Sequence, residues 1–128
     1  MSDVMVVFDS SIIIDELRQK KTVLDLVKSY SKKERIATTV ISKFEILRGT
    51  TEKNVSLVTE LLSHFVVYDF EDDAINEVVK VYKNLKEKGK MVNELDVLIA
   101  GIAAANNEML ITKDKDFLNF ESPKIIVL

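Results

Sequence analysis

The sequence contains no cysteine, one histidine, one proline and three glycines among its 128 residues. Without cysteine there is neither a disulfide framework nor a thiolate metal site, and the single histidine, His64, excludes a histidine-rich metal cluster. The scarcity of glycine and proline leaves little room for long flexible linkers. No stretch approaches the roughly 18 consecutive apolar residues of a membrane-spanning helix. These absences predict a globular protein whose chemistry, if it has any, depends on other side chains.

The length and the charge narrow the class further. A chain of 128 residues predicts one domain, residues 1–128, that is long enough to bury a sizeable core. The net charge of −3 gives no general sign of a nucleic-acid partner. The first apolar run has no basic stretch before it and an aspartate close by, unlike a signal peptide. We therefore expect a cytoplasmic protein.

Short apolar runs alternate with helical patterns along the chain. The predicted strands are Val4–Phe8, Arg35–Thr38, Phe65–Tyr68, Met109–Ile111 and Ile125–Leu128. The predicted helices are Ile12–Arg18, Thr22–Tyr30, Val40–Arg48, Asn54–Leu62, Glu71–Lys88 and a helix that starts near Glu94 and stops at Asn106–Asn107. This alternation predicts an α/β fold of three layers, in which helices cover both faces of a central, mostly parallel sheet.

Finer predictions concern caps and faces. Ser10 or Ser11 is predicted to cap the first helix. In the helix that begins at Val40, the spacing of Ile41, Phe44 and Leu47 predicts that these three side chains lie on one side, with Glu45 close to that face.

The segment from Asn93 to Phe117 contains the most informative acids. Its helix is apolar on all sides, which is typical of a helix buried in a core or against a partner. Asp96 lies near the start of this helix, and Asp114 and Asp116 follow the next strand. Carboxylates in such places are costly to bury unless a cation meets them. A functional site is therefore expected here.

Topology brings some of these acids together. Ligands of open α/β sheets bind outside the carboxyl ends of the strands. Asp9 ends the first strand, and Asp114 and Asp116 follow the fourth, so the three share one predicted edge. Asp96 and Glu45 lie in helices, and whether they converge on this edge depends on tertiary packing that the sequence leaves open.

A carboxylate cluster without histidine or cysteine favours a hard cation, Mg²⁺ or Mn²⁺. Such an ion completes its shell with water and with phosphate oxygens. The matching chemistry is the hydrolysis of phosphodiesters, in which the metal activates water and stabilises the leaving oxygen. Lys113 and Lys115, beside the proposed site, are candidates for contacts with phosphate.

Each acid also has a plain structural interpretation. Asp9 alone is more typical of a helix cap, and Asp96 could complement a helix dipole. Glu45 could be a surface acid paired with Lys43 or Arg48. The acids after the fourth strand alternate with lysines, which usually indicates a solvated turn. The hydroxyls of Ser11 and Thr112 could support a site or simply cap their segments.

Four segments taken in order settle between these interpretations. They are FDSSIIID (residues 8–15), TTVISKFEILRG (38–49), ELDVLIAGIAAANN (94–107) and LITKDKDF (110–117). Together they closely resemble the PIN-domain family and, within it, the small VapC toxins of toxin–antitoxin pairs. The resemblance extends over nearly the whole chain.

The resemblance implies roles for individual residues. It makes Asp9, Glu45 and Asp96 metal-binding acids, and it places the fourth acid at Asp114 or Asp116. Ser11 and Thr112 match hydroxyl residues that would support the acids. It further implies a Mg²⁺- or Mn²⁺-dependent ribonuclease that forms a homodimer and is silenced by a cognate antitoxin in the site groove.

Two other functions compete with this one. The first is a PIN-domain nuclease or RNA-binding module that serves RNA processing without an antitoxin. The second is a receiver-like or phosphatase-like domain with Asp9 as nucleophile. That chemistry requires a second aspartate adjacent to Asp9, which the sequence lacks.

One apolar surface is expected to support dimerisation. The stretch around the fourth predicted helix holds more apolar side chains than a small domain readily covers. They are Val55, Leu57, Val58, Leu61, Leu62, Phe65 and Val66. We expect this surface to mediate self-association or to receive an antitoxin helix.

Overall fold

The structure, a computed structural model, describes residues 5–17 and 35–128. The helix predicted at 22–30 lies outside the described residues. The elements, in chain order, are β1 (Met5–Phe8), α1 (Ser10–Leu17), β2 (Arg35–Thr39), α2 (Val40–Leu47), α3 (Val55–Leu62), β3 (Val66–Tyr68), α4 (Asp72–Glu87), α5 (Glu94–Ala105), β4 (Met109–Thr112), a 3-10 helix (Lys115–Asn119) and β5 (Ile125–Val127).

The five strands form one parallel sheet in the order β3-β2-β1-β4-β5. At its centre, Val7 pairs with Ala37 of β2 on one side and with Leu110 of β4 on the other. Because side chains alternate along a strand, β1 contributes residues to two hydrophobic cores, one on each face of the sheet. Val6 and Phe8 pack with α1, α2 and α3, while Val7 packs with α4 and α5. The predicted three-layer α/β/α fold is therefore confirmed.

The contact between α4 and α5 depends on a glycine. A Cβ atom built on Gly101 would lie 2.8 Å from the Cα atom and 2.9 Å from the backbone nitrogen of Val78. Real Cβ atoms do not approach a backbone so closely. Gly101 thus allows α5, which carries Asp96, to lie directly against α4.

The cap of α1 differs from the prediction. The helix begins at Ser10, and the Asp9 carboxylate accepts a hydrogen bond from the Ser11 backbone N–H (3.1 Å). Asp9 therefore takes the capping place, and the prediction that Ser10 or Ser11 caps this helix was wrong. Both serine hydroxyls are engaged with acidic side chains instead.

The three apolar residues grouped on one side of α2 differ in exposure, because Ile41 and Leu47 pack against the core while Phe44 does not. Ser42 and Ile46 are its buried residues, whereas the Phe44 side chain is 54% exposed. The guanidinium of Arg48 lies over the Phe44 ring, 5.3 Å from its centre. This cation–π contact gives the exposed ring a partner.

The large apolar surface predicted around α3 is mostly absent. Val58, Leu62 and Phe65 are buried in the core beneath the sheet, and only Val55 and Leu57 are exposed. An exposed apolar stripe lies on α4 instead, and it consists of Ile75, Val79 and Tyr82. None of the helices in the described ranges has the length and apolar character needed to cross a membrane.

Candidate functional site

Asp9 is the innermost acid of the site. It follows the central strand β1, is 4% exposed, and extends the sheet by donating its backbone N–H to the carbonyl of Ile111 (3.1 Å). Its Oδ1 atom accepts from the Ser11 hydroxyl, and its Oδ2 atom accepts from the Thr112 hydroxyl, each at 2.5 Å. Both carboxylate oxygens are therefore held by hydroxyl donors on neighbouring elements.

The two hydroxyls are themselves oriented by the backbone after β4. The N–H of Lys113 donates to the Ser11 oxygen (3.1 Å), and the N–H of Asp114 donates to the Thr112 oxygen (3.0 Å). A hydroxyl has one proton, and each of these gives it to Asp9. Burial raises the pKa of Asp9, while these hydrogen bonds act in the opposite direction. They thus favour the ionised carboxylate in a buried place.

Glu45 comes from the middle of α2 and contacts α1. Its Oε1 atom accepts from the Ser10 hydroxyl (3.2 Å), and its Oε2 atom lies 3.8 Å from the Arg48 guanidinium. The pairing with Arg48 agrees with the plain structural interpretation of this acid. Its charge also raises the pKa of Asp96, so Glu45 lies close to the other acids as well.

Asp96 is the point on which the acids converge. It lies in the first turn of α5, whose cap is Asn93: the Asn93 Oδ1 atom accepts from the N–H groups of Leu95 (3.1 Å) and Asp96 (3.4 Å). Burial, followed by the charges of four acids, raises the pKa of Asp96 to about 7. The four are, in decreasing order, Asp114, Glu45, Asp9 and Asp116. A helix amino terminus would lower this pKa, so burial and repulsion prevail over the helix dipole.

The two acids after β4 are not equivalent. Asp114 is half-buried, and its Oδ1 atom accepts from the N–H of Asp116 (2.9 Å), which caps the 3-10 helix. Asp116 is exposed, and its charge affects Asp96 least. The segment is thus a 3-10 helix, not merely a turn, and the charge of Asp114 acts on Asp96 more strongly than the charge of Asp116.

One ion pair beside the site was missed by sequence reasoning. Lys113, considered as a contact for phosphate, has its Nζ atom against the carboxylate of Asp15 in α1. The Asp15 side chain is 8% exposed. Ser11 and Asp15 are four residues apart, so they lie on the same side of α1, and this spacing was the available signal.

The donor set fits a hard cation with a partly aqueous shell. It consists of carboxylate oxygens only, which Mg²⁺ and Mn²⁺ prefer. Within residues 5–17 and 35–128, no three Asp, Glu or His side chains are already arranged to hold one ion. A Mg²⁺ ion is usually held by only one or two carboxylates and keeps several waters. The acids therefore suit such an ion without forming a closed cage.

A parallel α/β/α sandwich with acids collected at the carboxyl edge of its sheet defines a recognisable class. Residues 6–122 match the PIN domain, and the chain belongs to the PIN-domain family.

The chain is also similar to individual proteins. The chain is 26% identical to Ribonuclease VapC1 of Methanocaldococcus jannaschii over 117 residues, covering 86% of this chain and 76% of that protein. It is 30% identical to Ribonuclease VapC3 of the same organism over 96 residues, covering 75% and 95%. A chain in the crystal structure of VapBC2 from Rickettsia felis, bound to a promoter DNA fragment, superposes with a TM-score of 0.90 at 20% identity, covering 98% of this chain and 99% of that one.

Proposed function

We propose that this protein is a Mg²⁺- or Mn²⁺-dependent endoribonuclease and the toxin of a toxin–antitoxin pair. The observation that carries the proposal is the convergence of four acids on Asp96, a concentration of negative charge that a bound cation would relieve. The names of the two archaeal relatives, both ribonucleases, support RNA as the substrate. We place this activity in the cytoplasm.

The proposed roles follow from the contacts. Asp9, Asp96 and Asp114 would hold the cation, and Glu45 would hold one of its ligands or a water. Ser11 and Thr112 orient the Asp9 carboxylate by donating to both of its oxygens. A divalent ion bound here would supply the activation of water and the stabilisation of the leaving oxygen.

Other residues would bind the RNA backbone. Lys115 is exposed between the two acids of the 3-10 segment, and within the described ranges it forms no ion pair. It is therefore available to a phosphate, whereas Lys113 is engaged by Asp15. Local basic side chains suffice for a nuclease, because the phosphate contacts are few.

The first prediction tests the activity itself. The purified protein should cleave single-stranded RNA with Mn²⁺ or Mg²⁺ and should lose this activity in EDTA, because oxygen ligands alone hold the ion. The measurement is gel analysis of labelled RNA across a chelator series. Cleavage that survives exhaustive chelation would contradict the proposal.

A second arm separates the toxin from an RNA-processing enzyme. One of the crystal structures to which this chain is similar is that of a member of the VapBC family of toxin–antitoxin systems, from Mycobacterium tuberculosis. If this chain belongs to such a system, a small protein encoded beside this chain should inhibit the cleavage when the two are mixed. If no protein encoded beside this chain inhibits the cleavage, that result would favour an RNA-processing enzyme over a toxin. The proposal that the protein is a nuclease would be unaffected.

A homodimer is the second prediction, and we propose that it forms through the α4 stripe. Ile75, Val79 and Tyr82 are spaced as one helical face, and each is 39% to 45% exposed. Val79→Lys should therefore convert a dimer to a monomer, whereas Leu57→Lys on α3 should not. Light scattering over a wide concentration range distinguishes the two. A monomeric parent protein would overturn the dimer and leave the nuclease standing.

A further inference from the structure

A cavity of about 320 Å³ lies beside the acids. It is lined by Met91, Asn93, Asp96, Asp116, Asn119 and Phe120. Its volume falls at the lower end of the range of small-molecule sites, roughly 300–1,000 Å³. Of these residues, the roles proposed above use only Asp96, so the asparagines, the methionine and the phenylalanine have none.

The walls of this cavity are held in place. Asn93 is fixed because its Oδ1 atom caps α5. Asn119 is fixed by two hydrogen bonds. Its side-chain Nδ2 atom donates to the backbone carbonyl of Asp116 (3.3 Å), and its backbone carbonyl accepts from the Lys88 ammonium (3.4 Å). The Phe120 ring lies 5.1 Å from the ring of Phe117, which is buried. The cavity is therefore largely formed before any ligand arrives.

The polar groups that remain form a complementary set. In the described part of the chain, neither the Asn93 amide nitrogen nor the Asn119 amide oxygen has a hydrogen-bond partner. One can donate and the other can accept. Asparagine reads nucleobases with this combination, and aromatic rings stack on unpaired bases of single-stranded RNA. The exposed thioether of Met91 can adapt its shape to a flat ring.

We propose that this cavity binds one nucleobase of the RNA, next to the phosphate that is cleaved. The location follows from the shared walls, because Asp96 and Asp116 belong both to the cavity and to the acid site. As far as RNA is concerned, the inference rests on the proposed function. The cavity would set which base precedes or follows the cut, and Asn93 and Asn119 would be its specificity-determining residues.

The first test needs neither metal nor cleavage. Uncharged nucleosides (adenosine, guanosine, cytidine and uridine) are titrated into the ¹⁵N-labelled protein in EDTA. The side-chain amide signals of Asn93 and Asn119 should shift, more for one nucleoside than for the others. Those of Asn76, which is exposed on α4, should not. Unchanged signals at both cavity asparagines, or equal shifts at Asn76, would overturn the proposal.

The second test reads the preference during cleavage. An RNA pool with randomised positions is cleaved, and the new ends are sequenced. Asn119→Ala removes the acceptor, and Asn93→Ser removes the amide donor while keeping a good helix cap. Each should reduce the base preference at the cut about tenfold. Asn76→Ala should keep it, and thermal melts check that all variants fold.

The outcomes separate the two proposals. If the parent cleaves RNA and the cavity variants retain its base preference, the cavity is not a base site, although the nuclease stands. If the nucleosides shift the two asparagines but no RNA is cleaved, the base site stands and the ribonuclease proposal fails.

Discussion

Asp96→Asn is expected to lower RNA cleavage by about 100-fold or more while leaving the fold intact. Asparagine keeps the size of the side chain and leaves the backbone N–H that Asn93 caps unchanged. It removes one of the charges that repel each other at this site. Without metal, the variant should therefore be more stable than the parent, as is common where a site trades stability for function.

The expected gain depends on pH, and its sign follows from the pKa. Asp96 titrates at about 7 in the folded protein, against an ordinary value of 3.8. The folded state thus binds this proton more tightly than the unfolded state, and the resulting stability is lost as pH rises toward and through 7. The difference between variant and parent should therefore widen from pH 5 to pH 8 in EDTA. Because Asp96 is half-exposed, we expect the variant to gain only about 1 kcal/mol in its free energy of unfolding over the parent, or roughly 3–5 °C in Tm.

With metal present, the parent should become more stable than Asp96→Asn, the reverse of the order expected without metal. An ion that binds only the folded state raises its stability by mass action, so the parent should gain Tm on addition of Mn²⁺ and the variant much less. Asp73→Asn, an exposed first-turn acid of α4, is the matched control and should respond to Mn²⁺ as the parent does. If Asp96→Asn melts well below the parent in EDTA and gains equally from Mn²⁺, Asp96 is a structural cap and not a ligand.

Gly101→Ala should destabilise the protein by about 2–3 kcal/mol, the upper part of the range for overpacked cores. Alanine is favoured over glycine in a helix by about 1 kcal/mol, but that gain cannot offset a collision with backbone. The atoms that the new Cβ atom would meet are the Cα and the nitrogen of Val78, neither of which can rotate away. Helix α5 must therefore move from α4 and shift Asp96, so cleavage should fall as well.

Gly49→Ala provides the comparison. The nearest atom to a Cβ there is the carbonyl oxygen of Ile46, at an ordinary 3.6 Å. Gly49 also lies outside the left-handed region, so alanine is not strained there. Urea unfolding of the two variants should give clearly different free energies. Equal values would mean that α4 and α5 separate without cost.

Some acids could be placed from the sequence and others could not. Asp9 and Asp114 follow strands that pair side by side, so strand prediction alone brings them to one edge. The positions of Asp96 and Glu45 could not be predicted in this way, because they depend on how the helices pack against one another. Glu45 is brought there by contacts between α1 and α2, including the bond from Ser10, which no local pattern encodes. The resemblance to a family supplied what the periodicity lacked.

The errors have physical causes. Apolar residues lie on several sides of the eight-residue helix α2, so their spacing alone could not show that Phe44 is exposed while Ile41 and Leu47 pack against the core. The pair of Lys113 with Asp15 joins positions 98 residues apart, so the spacing of Asp15 from Ser11 within α1 could not by itself identify Lys113 as the partner. The cavity of Asn93 and Asn119 arises where two segments meet, and only the assembled fold reveals it.

The pairing of β1 with β4 also has a consequence for biosynthesis. The Thr112 hydroxyl that orients Asp9 comes from a residue 103 positions later, and Asp114 follows it. A nascent chain that has not yet exposed β4 contains Asp9, Glu45 and Asp96, but it lacks the neighbouring strand that supports Asp9. Such non-local pairing forms late. If the protein cleaves RNA, the ribosome that makes it is exposed to a finished nuclease only when translation of this region is complete.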